Sequence, residues 1–236
     1  MTFSGPSFYA RPGSPARDFL ALLHWPYTVL HLSFVVMGAA LASDIDWTRL
    51  TGTLVAFAAG LGVGSHAFDE VKDRPLRTGL TDRYLWLIGL GGMAVAVAAG
   101  VVGAYVISPW VLAWAAAGVF LATAYPLELI PLLHTDVGFA IAWGAFPVVV
   151  GYWAQAQSMS VAAALLAGVA TGVSLIQRSL SNPARFVRRR TSSARVEFEP
   201  PGQWSREVLL QTWEGSLKLL VATSVLLAIA LLSRHI

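Results

Sequence analysis

Apolar residues run along this chain in seven blocks, near 19–42, 48–68, 84–107, 109–127, 137–155, 159–180 and 215–233. Each is about as long as the twenty or so residues a helix needs to cross roughly 30 Å of hydrocarbon. Most blocks are joined by only a few residues, so successive helices are expected to run antiparallel as neighbours in one bundle, with a tight turn at Ser108-Pro109. Two connectors, 69–83 and 181–213, are longer and polar. Within the second, residues 204–213 are amphipathic and predict an interfacial helix leading into the last span. The first eighteen residues are polar, contain Pro, Gly and Ser, show no evident cleavable signal and read as a flexible cytoplasmic tail. The pattern predicts an all-α, multi-pass transmembrane bundle of about seven helices. Its tail covers 1–18, and its single domain covers 19–236 with a basic cytoplasmic loop at 181–213.

Composition strengthens that reading. The chain is 56% hydrophobic and only 12% charged, with a mean hydropathy of +0.63, where soluble domains carry about a quarter charged residues. Charge placement then orients the bundle. With the N-terminus inside, fourteen of the sixteen Lys and Arg, Arg11 and Arg17 among them, fall on the cytoplasmic side. Only Arg49 and Arg234 fall opposite, where Asp44 and Asp46 make the loop acidic. An integral protein of the inner or plasma membrane is expected, its basic loops touching anionic head groups, with no nucleic acid among its partners. Cysteine is absent, which removes disulfides, thiolate metal sites and thiol nucleophiles. A transporter usually carries ionisable groups within its spans, whereas the mid-span positions here hold His31 and little else.

The second block ends in Gly62-Val63-Gly64-Ser65-His66-Ala67-Phe68-Asp69-Glu70-Val71-Lys72-Asp73-Arg74-Pro75. Ser65, Asp69 and Asp73 recur every four residues, so they step round a helix by only about 40° each and form one polar stripe, with His66 and Glu70 beside it. A charge costs about 2.5–3.5 kcal/mol at the bilayer centre and less towards the interface, and carboxylates one turn apart repel each other. A divalent cation relieves both penalties, and oxygen ligands of this kind suit Mg²⁺. Lys72, Arg74 and Arg77 offer a metal-free alternative as ion-pair partners at a helix end that has simply reached water.

This segment resembles the first aspartate-rich motif of the UbiA superfamily of intramembrane prenyltransferases, with Asp69 and Asp73 in the two Asp positions and Arg74-Pro75-Leu76-Arg77-Thr78-Gly79 as the downstream element. Ser65 stands where that family has Asn. Leu23-His24-Trp25-Pro26-Tyr27-Thr28 resembles the opening of the family's first helix. Ala124-Tyr125-Pro126-Leu127-Glu128-Leu129, followed by Gly138, Gly144 and Pro147, resembles the stretch after its fourth, with Ile130 in place of a Lys. The resemblance implies a shortened UbiA-like bundle whose activity is Mg²⁺-dependent transfer of an isoprenoid chain from a prenyl diphosphate to a lipophilic acceptor. Asp69 and Asp73 would ligate the metal, supported by His66 and Glu70. Active members carry a second aspartate motif after the sixth helix, and the corresponding stretch, 175–185, contains no carboxylate.

Guanidinium groups neutralise phosphates directly, so Arg74, Arg77, Arg178, Arg185 and Arg188, with Arg189 and Arg190, are candidates to bind the diphosphate in place of a second metal. Tyr27, Tyr125, Trp143 and Tyr152 are candidates to line the cavity, where aromatic faces stabilise a developing allylic cation. Two alternatives stand beside this reading. One is a non-catalytic protein that binds an isoprenoid or other lipid. The other is a seven-helix zinc hydrolase built on His24, His31, His66 and His134 with Ser65 and Asp69, although no His-x-x-x-His pair is present to put two ligands on one helix face.

Overall fold

Backbone polar groups in hydrocarbon must be satisfied internally, and in the computed structural model the seven apolar blocks achieve this as seven helical columns. Residues 5–10, 13–198 and 202–236 are described; Arg11 and residues 199–201 of the basic connector lie outside the described residues. The first column is α1 (Pro15–Leu22) and α2 (Trp25–Ala39). The second is α3 (Trp47–Phe57), a π-helical segment (Ala58–Ser65) and α4 (His66–Asp73). Then come α5 (Asp82–Val106) and α6 (Val111–Ala124). The fifth column is α7 (Asp136–Ala140), a second π-helical segment (Ile141–Ala145) and α8 (Phe146–Ala156). The last two are α9 (Val161–Arg190) and α10 (Arg206–Leu232). Six columns are long and apolar enough to cross a membrane, and α6 is shorter.

The columns meet through small residues, as helices in lipid do when close packing replaces a hydrophobic driving force. A Cβ on Gly38 would lie 2.1 Å from the Val148 carbonyl oxygen, and one on Gly151 would lie 2.2 Å from that of Val35. These partners run in opposite order, so α2 and α8 are antiparallel and in backbone contact. Gly92 of α5 approaches Ala59 and Gly64 in the same way. The glycines at 60, 62 and 64 thus admit neighbouring columns, through Ala96, Thr28 and Met93. Leu30, Phe34, Met37, Val148 and Val221 fill one core cluster; Leu61, Phe68, Met93, Ala142 and Trp143 fill another. Leu87, Leu90, Val102, Leu165 and Leu219 stay exposed on the outside of the bundle, the surface that lipid would cover.

Alternation of the columns gathers residues 5–10, 13–24, 73–82, 125–135, 178–198 and 202–206 at one end, the basic end. The opposite end is tied by Asp46, whose backbone N–H donates to Gln155 Oε1 at 2.9 Å, and by Arg49, which donates to the Gln155 carbonyl at 3.1 Å. Three expectations are corrected at the basic end. The connector 181–213 is mostly helical: α9 runs on through Pro183 to Arg190 and α10 already begins at Arg206. Between them, among the described residues, runs a two-stranded ribbon, β1 (Arg195–Phe198) with β2 (Gly202–Ser205). There is no separate interfacial helix over 204–213, because Ser205 Oγ caps the Val208 N–H and starts the final column there. The first column begins at Pro15 rather than 19, and residues 5–10 of the expected tail pack down, with Ala10 fully buried against Ala21 and Leu76.

Two outcomes follow. In this cysteine-free chain, single cysteines placed at the exposed Ser43 and Ser193 label from opposite sides of sealed vesicles with a membrane-impermeant maleimide. Gly38→Val forces α2 off α8 and lowers stability by at least the about 1–3 kcal/mol typical of overpacking, read by thermal denaturation in detergent.

Candidate functional site

A cavity of about 600 Å³ opens at the basic end between α2, α4, α9 and the connector from α6 to α7. Among its lining are ten of the thirteen residues expected at a site: His66, Asp69, Asp73, Arg74, Arg77, Arg178, Arg185, Tyr27, Tyr125 and Trp143. The polar stripe survives because α4 is regular helix from His66 to Asp73, so Ser65, Asp69 and Asp73 all face the cavity. Arg178, Arg185 and Arg189 face them from α9. Seven and four residues apart, they fall within an arc of about 40° on that helix.

The charges divide into engaged and unengaged groups. Arg178 Nε donates to Asp136 Oδ1 at 2.6 Å and its Nη1 to the Tyr125 hydroxyl at 2.7 Å, with the guanidinium 4.9 Å from the Phe139 ring centre. Arg74 is held by Asp82 and by the Leu80 carbonyl. Lys72 and His134 each lie 3.4 Å from Glu128. Arg77, Arg185, Arg189 and Arg190, by contrast, have no carboxylate partner among the described residues, and Asp69 and Asp73 have no cationic one. Four guanidinium groups without a carboxylate partner, two of them hydrogen-bonded elsewhere (Arg185 to Asn182 Oδ1 at 2.5 Å, Arg189 to the Pro6 carbonyl), therefore line one cavity with two carboxylates that make no direct ion pair.

Three expected residues stand outside its lining. Glu70 is fully buried and turned to the loop after α4, where it accepts from the Leu76 N–H (2.9 Å), the Thr78 N–H (2.8 Å) and the Thr78 hydroxyl (2.9 Å). Asp18 does parallel work, accepting from Gly79 N–H at 2.8 Å and Gly13 N–H at 3.0 Å. Arg188 forms a buried, two-pronged pair with Glu214 of α10, at 2.7 and 2.6 Å. Tyr152 is buried within α8, away from the cavity.

The cavity also holds residues not anticipated from the sequence: Glu128, Phe139 and Gln177. Backbone strain points to one of them. Of the five non-glycine residues with positive φ among the described residues, four (His24, Arg74, Arg77 and Glu128) line this cavity, and such strain persists only where surrounding structure enforces it. At His24 the left-handed turn breaks the first column, and the freed Leu23 carbonyl accepts from the Thr28 hydroxyl at 2.6 Å. The His24 ring stacks on His66, centroids 4.3 Å apart, and its Nδ1 is hydrogen-bonded to the Tyr9 hydroxyl at 3.0 Å. Burial pushes the Tyr9 phenol above its usual range, so it stays neutral beside the ring. Arg189 donates to the Pro6 carbonyl at 3.0 Å. The N-terminal segment thus straps across the cavity's edge.

Zinc sites need three or more protein ligands, and no group of three His, Cys, Asp or Glu among the described residues is placed to hold an ion. His134 is paired with Glu128, and His31 Nδ1 is bonded to the Trp143 carbonyl at 2.8 Å. The hydrolase set is not assembled. Mg²⁺ makes a smaller demand, commonly one or two carboxylates completed by substrate phosphates and water, and Asp69 with Asp73 is a donor set of that kind. Comparison with protein-family models, curated proteins and solved structures finds no match, so any assignment rests on the residues themselves.

The two kinds of acid behave differently on substitution. Glu214→Ala strands the Arg188 guanidinium in the interior and costs about 3–5 kcal/mol of stability. Asp73→Ala, at an exposed helix end with no ion-pair partner, changes stability by no more than about 0.5 kcal/mol. Thermal unfolding of both variants in detergent checks the contrast.

Proposed function

We propose that this protein is a UbiA-like membrane prenyltransferase that moves an isoprenoid chain from its diphosphate to a lipophilic acceptor at the cytoplasmic face. One observation supports the reading above others. Asp69 and Asp73 share a cavity with Arg77, Arg185, Arg189 and Arg190, and none of the six makes a direct ion pair among the described residues, the mixture of signs that a metal-bound polyphosphate requires. A site for a free anion would need no carboxylates, and a site for a cation alone would need no arginines.

In this reading Arg185, Arg189 and Arg190 grip the diphosphate oxygens, bidentately where geometry allows. They do the work that a second carboxylate-held metal would otherwise do, in keeping with the carboxylate-free stretch 175–185. Asp69 and Asp73 would hold Mg²⁺, which when bound supplies further neutralisation of the leaving group. The carbon–oxygen bond of the prenyl diphosphate breaks with its electron pair leaving on diphosphate. The acceptor's nucleophilic atom forms the new bond to the allylic carbon and loses its proton. Tyr27, Tyr125 and Trp143 line the cavity and present aromatic faces to positive charge on the allyl group.

The absence of a second aspartate motif favours one further reading, a protein that binds a phosphorylated isoprenoid without turning it over. Release of diphosphate from geranylgeranyl diphosphate by protein in nanodiscs, supplied with membrane lipid extract as acceptor, separates the two. The enzyme reading expects release that stops with a Mg²⁺ chelator and falls by about 10²-fold or more in Asp69→Ala, the scale of losing a group that stabilises developing charge. Retained ligand with no release in either protein would show a binding protein instead.

A further inference from the structure

Residues 5–10 carry no charged side chain, yet they lie across the edge of a cavity lined with arginines. On one side Arg189 holds them, its Nε donating to the Pro6 carbonyl at 3.0 Å and its Nη2 to the Ser7 hydroxyl at 3.4 Å. On the other, the Tyr9 ring meets Tyr27 edge-on with centroids 5.8 Å apart, and its hydroxyl is bonded to His24. Lys218 Nζ of α10 sits 5.2 Å from the Phe8 ring centre. Ala10 anchors the segment, fully buried against Ala21 and Leu76. His24, Tyr27 and Arg189 all line the cavity, so three of its wall residues are tied to one short strap.

Arg189 offers the strap a particular side of its guanidinium. Nε and Nη2 together chelate two oxygens, and with that side Arg188 grips the Glu214 carboxylate. On Arg189 the same side is given to a carbonyl and a hydroxyl, both neutral. Charge-assisted hydrogen bonds are about twice as strong as neutral ones, so an oxyanion in the cavity is the stronger partner for it. We propose that residues 5–10 are an autoinhibitory strap, released when an anionic phosphate group in the cavity takes Arg189 from Pro6 and Ser7. The inference rests on the proposed function for that group and adds a control on its binding. While the strap is closed, apparent affinity for the anion is reduced by the fraction of molecules that are open. Tyr9 is the second hold and stands outside the cavity lining, so its loss frees the strap without removing a ligand contact.

Because the chain has no cysteine, Ser7→Cys puts a single thiol in the strap at a buried position and leaves the Pro6 carbonyl on Arg189. Its modification by a maleimide is timed on purified protein in detergent, with and without Mg²⁺ and inorganic diphosphate at constant ionic strength. Ser193→Cys, at an exposed position on the connector, controls for the reagent. The thiol at 7 is expected to react at least about tenfold faster once diphosphate binds, a population shift towards the open strap, and the thiol at 193 at an unchanged rate. Adding Tyr9→Ala to Ser7→Cys speeds the reaction without any ligand. Tyr9→Ala alone binds diphosphate at least about fivefold more tightly in isothermal titration, the scale of one neutral hydrogen bond. The ligand arm keeps Tyr9 and stands whether or not that variant folds. Diphosphate that binds in titration but leaves the thiol at 7 unchanged, or slows it, would overturn the inference while leaving the proposed function standing. So would a thiol at 7 that reacts as fast as the one at 193 without ligand. If neither wild type nor Tyr9→Ala binds diphosphate, the functional reading falls and the inference falls with it.

Discussion

A carboxylate drawn out of water must be met by donors or by positive charge, and this protein meets its acids in two ways. Asp18, Glu70 and Glu214 are answered inside the chain, the first two by backbone N–H groups of the 74–79 loop and its neighbours, the third by Arg188. These contacts shape the basic end: they fix the loop after α4, bind α9 to α10 and hold the start of the first column against both. Asp69 and Asp73 make no direct ion pair on the cavity wall, and four arginines there have no carboxylate partner among the described residues. A ligand that carries both signs, such as a metal-bound polyphosphate, would supply partners to both sets. That contrast separates the structural acids from the candidate functional ones.

Small residues make the arrangement possible. With backbones touching at Gly38 and Gly151, α2 and α8 form a rigid pair. The second and fifth columns depart from regular helix beside it, at the two π-helical segments. Backbone groups freed by such departures are tolerable in lipid only where protein or a cavity covers them. Here Leu61 and Trp143, one in each departure, line the charged cavity, so irregular backbone, strained residues and charge concentrate around one site.

Much of this was legible in the sequence. Seven apolar blocks gave seven columns because a twenty-residue apolar run has few other options in a bilayer. The four-residue spacing of Ser65, Asp69 and Asp73 placed them on one face because α4 stays regular. Glu70 was misplaced because position alone cannot say whether an acid beside a stripe turns to the cavity or to the loop following it; the open N–H groups of Leu76 and Thr78 decided that. Arg188 was misplaced because 181–213 was expected to be a loop, in which all its arginines are equivalent. As a helix to Arg190, it puts Arg178, Arg185 and Arg189 on one face and turns Arg188 towards Glu214. The π-helical segments left no trace in hydropathy, since one extra residue per turn does not alter the length of an apolar run.

The account stands on two acids and a set of arginines jointly holding a metal–diphosphate unit, and inorganic diphosphate tests this without any lipid. Isothermal titration of purified protein with diphosphate is expected to show binding in Mg²⁺ that is lost on chelation. Binding should weaken by tenfold or more, about 1.4 kcal/mol, in both Asp69→Ala and Arg185→Ala. Binding that is indifferent to Mg²⁺ and to Asp69→Ala, or no binding at all, would contradict it.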